Sequence, residues 1–547
     1  MLSGLSAMFH TLTSSSLVHI SSRSRRPSSF VPGFVPGVML FALLILVQAH
    51  TQAAPVGNLP PAVRTELELA RIPTDAVAVW VQPVGAKQPV LALNAERPMN
   101  PASVMKVVTT FVALDVLGPE RTWTTRIAVD GPLREDGALL GSVYLIGDGD
   151  PVLTYERVWR MMRRLRSLGY SVIGGDIVLD SMALVLPPHD PYAFDGRGLR
   201  PYNSGGDGLL IHFNTQELAL FPGLHAQDPV KVVAEPPLAG VEIDNRLVTS
   251  VNSCEPWYRD LDAQMEKGRL TLTGSLSARC GPRIWATSPL VPADYDIAMV
   301  RALWWELGGM VRGKVKNGET PNEVYVLISE ESVPLGEIVR TMNKWSSNVI
   351  ARQLLAQVGR ESIAAAASGN TNTNMSTNMV AAGSEAARRC LASADIEIDG
   401  LEIDNGSGLS RSARIRADSL GTLLVRAWER PWMPDFIASL PIAGRDGTAR
   451  RRLNDSPANG RAYLKTGTIN DVKAIAGYVL DKNGQRYAVV MMVNHPEAGN
   501  SKKAQDALIE WVWSGAAQAM PEPIPMPMPS PSKPQAKPKN MAPRSKR

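Results

Sequence analysis

The sequence predicts a mixed α/β fold of the α+β kind: an antiparallel sheet flanked by helices, with one or two α/β domains inserted along the chain. Three observations carry this reading. Two long apolar, strand-like runs, residues 472–480 and 486–493, are joined by Asp481-Lys482-Asn483-Gly484, and an Asn-Gly pair is a strong hairpin signal. Apolar stretches of helical period cluster at 104–117, 335–358, 380–394 and 417–428. Between the first two of these, residues 123–332 alternate helix-like and strand-like runs of their own, too long an interval for a loop.

In chain order, strands at 76–84 and 90–93 are expected to join the C-terminal hairpin in one sheet. The helix over 104–117 starts after the breaker Pro101. Within the interval, helix 158–168 precedes strand 171–179, and helix 297–307 precedes strand 323–328. Shorter strands are expected at 230–234, 247–251 and 270–276. Residues 364–378, with Asn370-Thr371-Asn372-Thr373-Asn374, read as a polar surface loop. At 547 residues the chain is long enough for two or three domains, since single cores stop growing at roughly 250–300 residues.

Three short strings carry chemistry. Ser103-Val104-Met105-Lys106 opens an apolar helix, where residues three apart share a face. The Lys106 amine is therefore expected beside the Ser103 hydroxyl, desolvated enough to lose its proton and activate the serine. Ser346-Ser347-Asn348 falls at a corner between two helix-like stretches, so that Ser346 can relay a proton to a leaving amine and Asn348 can bond a substrate amide. Lys465-Thr466-Gly467 closes a strand-like run, 461–464. Lys465 and Thr466 suit a substrate carboxylate, Gly467 admits a close backbone approach, and the N–H groups of Ser103 and Thr468 are the expected oxyanion donors. A Ser-x-x-Lys alone means little, and another stands at Ser530–Lys533. The ordered set matches the S-x-x-K, S-D-N, K-T-G constellation of acyl-serine enzymes, with Ser347 at the middle position of the second string.

With these residues and their surroundings, the chain from about 59 to 516 resembles the penicillin-binding D-alanyl-D-alanine carboxypeptidases of the class C low-molecular-mass type, peptidase family S13. Asn100 to Lys106, Asn343 to Asn348, Asp404 to Arg411 and Pro441 to Thr448 all resemble family motifs, as does Gly147 to Pro151. One departure lies inside a motif: Ser347 stands where the family usually has Asp. The resemblance implies a penicillin-binding, β-lactamase-like transpeptidase domain in two parts, 55–122 and 333–517, with two extra domains inserted as 123–332. It also implies an acidic residue from an insert near a diamino-acid side chain of the substrate, for which Asp195 is the candidate.

Both ends differ from the body. Arg23, Arg25 and Arg26 precede the apolar run 38–47 and small residues at Ala49, Ala53 and Ala54, which reads as an export signal over 1–54. The run is shorter than the ~20 residues a bilayer span needs. Residues 518–547 are Pro- and Lys-rich, too poor in apolar surface to order themselves, and suit a basic contact with anionic membrane or wall polymers. The net charge of +5 sits at these ends, so nucleic-acid binding is not expected. Of three cysteines, Cys254 and Cys280 are the expected disulfide after export, with Cys390 packed as a small apolar group. No C-x-x-C or H-x-x-x-H spacing suggests a metal, and no cofactor is expected.

The function these readings select is a periplasmic serine-type DD-carboxypeptidase, with DD-endopeptidase activity alongside. It would act on peptidoglycan peptides ending in D-Ala-D-Ala or cross-linked, with β-lactams as covalent inhibitors. A β-lactamase of the same superfamily and a non-catalytic wall-binding scaffold are the alternatives. Against the first, Glu361 and Glu385 lack the E-x-x-x-N setting of a deacylating glutamate; against the second, the motif residues are intact.

Overall fold

Alternating burial in the C-terminal hairpin explains the main sheet. Side chains on a strand point alternately to opposite faces, and here both faces are apolar. Val77, Val79 and Val81 with Ile475, Val479, Val489, Met491 and Val493 face one way; Ala78, Trp80, Ala474, Ala476, Tyr478, Val490 and Met492 face the other. The computed structural model, which describes residues 58–368 and 378–519, covers each face with helices. Pro61–Leu69 and Lys502–Trp513 cover the first face. Met105–Leu117 and Ala417–Trp428 belong to the core on the second.

Five strands run in the order Ala462–Ile469, Val472–Leu480, Arg486–Asn494, Val77–Pro83 and Leu91–Leu93, all antiparallel. The hairpin matches its expected bounds to within a residue. Two points differ from the sequence reading. Lys465-Thr466-Gly467 lies inside the strand Ala462–Ile469 and not at its end, because residues 462–469 all pair with the neighbouring strand. The helix expected over 104–117 begins at Met105, preceded by a 3-10 turn Ala102–Val104 that holds Ser103.

Residues 124–331 form further layers. A five-stranded sheet runs Val315–Asn317, Ile177–Asp180, Val143–Ile146, Thr124–Val129, Tyr325–Glu331, and shares a core with helices Tyr155–Ser167 and Pro292–Glu306. The single strand expected over 171–179 is broken into Val172–Ile173 and Ile177–Asp180, with Gly174 and Gly175 at the break. Residues 216–287 hold strands, loops and the one 3-10 turn Ala278–Cys280 but no α-helix, which confines the helices of the α/β reading to the segments on either side. Their core is a leucine cluster, Leu218, Leu220, Leu270, Leu272 and Leu276, with Trp285 and Cys280. Cys254 and Cys280 are bonded, Cα to Cα 5.0 Å, and Cys390 is buried in the main core. The segment 1–54 read as an export signal, the Asn/Thr-rich stretch 369–377 and, apart from Gln518 and Ala519, the tail 518–547 lie outside the described residues. Among the described residues no helix is long and apolar enough to cross a membrane.

Candidate active site

The turn carrying Ser103 is pinned from three directions. Asn100 accepts from the Ala102 N–H through Oδ1 at 2.8 Å and donates through Nδ2 to the Ser410 carbonyl at 2.9 Å. Asn494, ending a sheet strand, accepts from the Asn100 N–H at 2.9 Å and donates to its carbonyl at 3.0 Å. Ala102 is thereby held at φ 45°, a conformation that costs a non-glycine residue about 1–3 kcal/mol and is sustained by those bonds.

Lys106 follows one turn later, with no solvent exposure. Its Nζ lies 3.1 Å from Ser103 Oγ, 2.6 Å from Asn348 Oδ1 and 2.6 Å from the Ser407 carbonyl. Three acceptors suit an ammonium donating all its hydrogens. Burial opposes that charge, and the nearby cations Lys465 and Arg352 add to it, so the amine is held well below the ordinary lysine range. When Lys106 is neutral the longest contact reverses, and the Ser103 hydroxyl donates to Nζ. Proton transfer from Ser103 then needs no movement.

The second motif turns a corner. Ser346 caps the helix Leu335–Trp345 in the left-handed region, φ 58° and ψ 38°, and the next helix starts at Asn348. The Ser347 hydroxyl accepts from the Ile350 N–H at 3.3 Å, an N-cap contact. Aspartate serves at N-caps equally well, so Ser347 preserves the corner where the family usually has Asp. Asn348 is placed by both ends of its amide: Oδ1 faces Lys106 and Nδ2 donates to the Tyr202 carbonyl at 2.9 Å.

The third motif lies on the edge strand of the sheet. Lys465, also fully buried, donates to Ser346 Oγ at 2.9 Å and to the Thr466 carbonyl at 2.8 Å. Burial pulls its pKa down to about 7. Thr466 Oγ1 and Thr448 Oγ1 share a hydrogen bond of 2.8 Å. A Cβ on Gly467 would stand 2.5 Å from the Pro101 carbonyl and 3.1 Å from the Ser103 nitrogen, so its backbone approach is first to the serine turn itself. Thr468, the next residue, is exposed and pairs with Lys473.

Four groups were not legible as site members. The Ser407 carbonyl, the Tyr202 carbonyl and Thr448 act through backbone or short side chains whose position depends on the fold. Arg352 is a half-buried cation whose guanidinium donates to the Ser204 carbonyl. The 404–411 string was the available signal for Ser407. Its Gly408, at φ 73°, packs so closely that a Cβ would collide with the Ala102 carbonyl.

A cleft of about 1040 Å³ opens beside this centre, lined by Arg352, Asp404, Asn405, Ser410, Arg411 and Phe194 among others. Asp195 does not line it. Its carboxylate accepts from Tyr202 Oη at 2.9 Å, Asn203 Nδ2 at 2.8 Å and the Arg197 N–H at 3.1 Å, bracing its own loop. Asp190, from the same loop, does line the cleft. The paired aspartates of 147–151 are used in ion pairs, Asp148 with Arg360 and Asp150 with Arg157. Among the described residues no group of three His, Cys, Asp or Glu side chains could hold a metal ion.

This fold is that of the penicillin-binding proteins. The chain resembles the crystal structure of penicillin binding protein 4 (dacB) from Haemophilus influenzae with a TM-score of 0.66 at 22% identity, covering 82% of this chain and 99% of that one. A second structure of that protein, at TM-score 0.63, is a complex with a β-lactam. Residues 61–514 match the model of the D-Ala-D-Ala carboxypeptidase 3 (S13) family, and the chain belongs to that family. Among its relatives, the D-alanyl-D-alanine carboxypeptidase of Actinomadura sp. (strain R39) is 29% identical over 75% of this chain and 76% of its own length. The D-alanyl-D-alanine carboxypeptidase DacB of Haemophilus influenzae is 24% identical over 78% and 88%.

Proposed function

We propose that this protein is a serine-type D-alanyl-D-alanine carboxypeptidase acting on peptidoglycan peptides through an acyl-enzyme on Ser103. The observation that carries it is the buried Lys106 amine held between Ser103 Oγ, Asn348 Oδ1 and the Ser407 carbonyl. A substrate lies along the edge strand Ala462–Ile469 as an added strand. Lys465 and Thr466 hold its terminal carboxylate, and Asn348 holds the amide on the acyl side. Ser103 Oγ attacks the carbonyl carbon of the penultimate D-Ala while Lys106 takes the hydroxyl proton. The N–H groups of Ser103 and Thr468 receive the oxyanion. Ser346, bridged to Lys465, passes its proton to the departing amine and is reprotonated with the proton that Lys106 took from Ser103, so that the C–N bond breaks, D-Ala leaves and Lys106 is neutral again. Water then attacks the ester, giving its proton to Lys106, which returns it to Ser103 Oγ as the ester C–O bond breaks and the shortened peptide leaves as its carboxylate. A cross-linked peptide passes through the same acyl-enzyme with a larger leaving amine, for which the open cleft leaves room. Action on wall polymer places the protein in the periplasm after export, with the basic tail as a contact to anionic surfaces.

A β-lactam carries the same carboxylate and acylates the same serine, but its leaving amine stays tethered and blocks the approach of water. Among the described residues no carboxylate hydrogen-bonds to Ser103, Lys106, Ser346 or Lys465, which favours a long-lived penicilloyl adduct. Stopped-flow and intact-mass measurements on a D-Ala-D-Ala peptide and on penicillin test the reading. Repeated D-Ala release with a persistent penicillin adduct is expected. Penicillin turnover faster than peptide turnover would make this a β-lactamase, and no adduct at all would leave a scaffold.

A further inference from the structure

The loop 190–203 has two faces. Asp190, Ala193, Phe194 and Asn203 line the large cleft beside the active site. Tyr192, Arg197 and Arg200 line a separate groove of about 780 Å³, a volume within the roughly 300–1,000 Å³ of ligand sites. Its far wall is the strand Leu261–Glu266 with Tyr258 and Arg259, and Trp285 is part of its lining. A smaller cavity of about 350 Å³ shares Tyr192, Gly198 and Leu199 with this groove and His189, Gly205 and Gly206 with the cleft.

Two features mark the groove as built for a ligand. Its charge is unbalanced: Arg197, Arg200 and Arg259 form no ion pair among the described residues, and Asp262 is the one carboxylate in the lining. Three guanidiniums around one concavity raise the local potential and draw an anion, and their planar forks fit carboxylates. Its other surface is aromatic. Tyr192 and Tyr258 are half exposed, and Trp285 is 5% exposed with its indole N–H buried and without a hydrogen-bond partner among the described residues. The Arg200 guanidinium sits 5.8 Å over the Trp285 ring. Tyr and Trp give large amphipathic contact faces at low entropic cost.

We propose that this groove binds a carboxylate-bearing glycan–peptide segment of the wall polymer, adjacent to the peptide being cut. The substrate class rests on the proposed function; the anionic, ring-bearing character of the ligand rests on the groove alone. One loop joins the two places, because Tyr202 at its end supplies the carbonyl that holds Asn348. A polymer long enough to reach both would be held at both.

The test uses the full chain with Ser103→Ala, so that binding is measured without cutting, and purified peptidoglycan sacculi as probe. Adding Arg197→Gln and Arg259→Gln is expected to weaken co-sedimentation about tenfold, the worth of two exposed charge pairs. In the active enzyme the same pair of substitutions should leave kcat/KM on a short soluble D-Ala-D-Ala peptide within about twofold, since neither residue touches the motif groups. Amidation of the sacculus carboxylates also removes the anion proposed for Lys465, so it is read by difference: it should weaken binding to the unsubstituted arginines more than binding to the double variant. Unchanged co-sedimentation of the double variant, an equal loss on amidation with and without the two arginines, or a parallel loss on the soluble peptide would each overturn the proposal. If the parent enzyme fails to cut the soluble peptide, the proposed function falls, yet the sedimentation arms still decide the groove.

Discussion

Lys465 donates to the Ser346 hydroxyl across 2.9 Å, joining the edge strand of the sheet to the left-handed corner between two helices. With Ser103 and Lys106 this makes two serine–lysine pairs in one site, each with a fully buried amine. Two neighbouring buried amines cannot both carry charge cheaply. The proposed division of labour fits that constraint: Lys106 neutral and taking a proton, Lys465 charged when an anion arrives.

Lys106→Arg is expected to lower acylation by penicillin by about 10²–10⁴-fold, the usual worth of a positioned general base. Guanidinium keeps the charge and cannot take the serine proton. Intact-mass kinetics measures the loss, and peptide mapping of the parent adduct should place it on Ser103. Near-normal labelling of the arginine variant, or a label on Ser346, would end the base–nucleophile assignment.

Gly467→Ala tests the contact between edge strand and serine turn. The new methyl would meet the Pro101 carbonyl at 2.5 Å and push the turn that holds Ser103. Displacement of a reacting atom by a fraction of an ångström is costly, so acylation should fall on the order of 10–100-fold. The sheet itself should survive, with a stability loss of roughly 1–3 kcal/mol from overpacking. A variant that labels at the parental rate would show the turn free to move.

How much of this was legible depends on the range over which each feature is encoded. The hairpin around Asn483-Gly484 and the helix Leu335–Trp345 are written in local period and turn chemistry, and their bounds were readable. So was the Ser103–Lys106 proximity, a consequence of helical spacing. The position of Lys465-Thr466-Gly467 within its strand was not, because the pairing of Thr468 and Ile469 with Lys473 and Val472 is set by the neighbouring strand. The Ser407 and Tyr202 carbonyls were invisible for a stronger reason. Any residue type offers a carbonyl, so only the fold reveals which ones point at Lys106 and Asn348.

A fourth group supports the Ser346 corner from behind. Lys344 is 6% exposed, and donates to both Asp446 oxygens at 2.7 and 3.0 Å and to the Leu440 carbonyl at 2.6 Å. Asp446→Ala strands that ammonium. The cost of removing one partner from a charged hydrogen bond is roughly 1–3 kcal/mol, kept to the lower part of that range because Asp446 is itself 36% exposed and screened. Denaturant melts should record the loss, with a slower acylation if the corner shifts. Lys344→Met in the same background removes the unpaired charge and is expected to recover stability; no recovery would place the Asp446 effect elsewhere.

The pH dependence separates the two lysines. In the proposed mechanism Lys106 must be neutral to act, so the rate of penicillin acylation should climb as pH rises through its lowered pKa. Lys465 in its proposed role must be charged to hold the carboxylate, and burial has brought its pKa to about 7. Above that pH the empty site has to take up a proton before it binds an anion, so apparent affinity falls by up to about tenfold per pH unit. The product is a bell, with limbs that belong to the coupled pair of amines and not to either alone. Lys465→Arg keeps a positive charge at every pH used. It should retain binding of penicillin and of a D-Ala-terminated peptide while the alkaline limb flattens, whereas Lys465→Ala should lose affinity for both across the range. Second-order acylation rates between pH 5 and 10 decide this. An alkaline limb that persists unchanged in the arginine variant would mean that another group, and not Lys465, carries the charge that recognises the carboxylate.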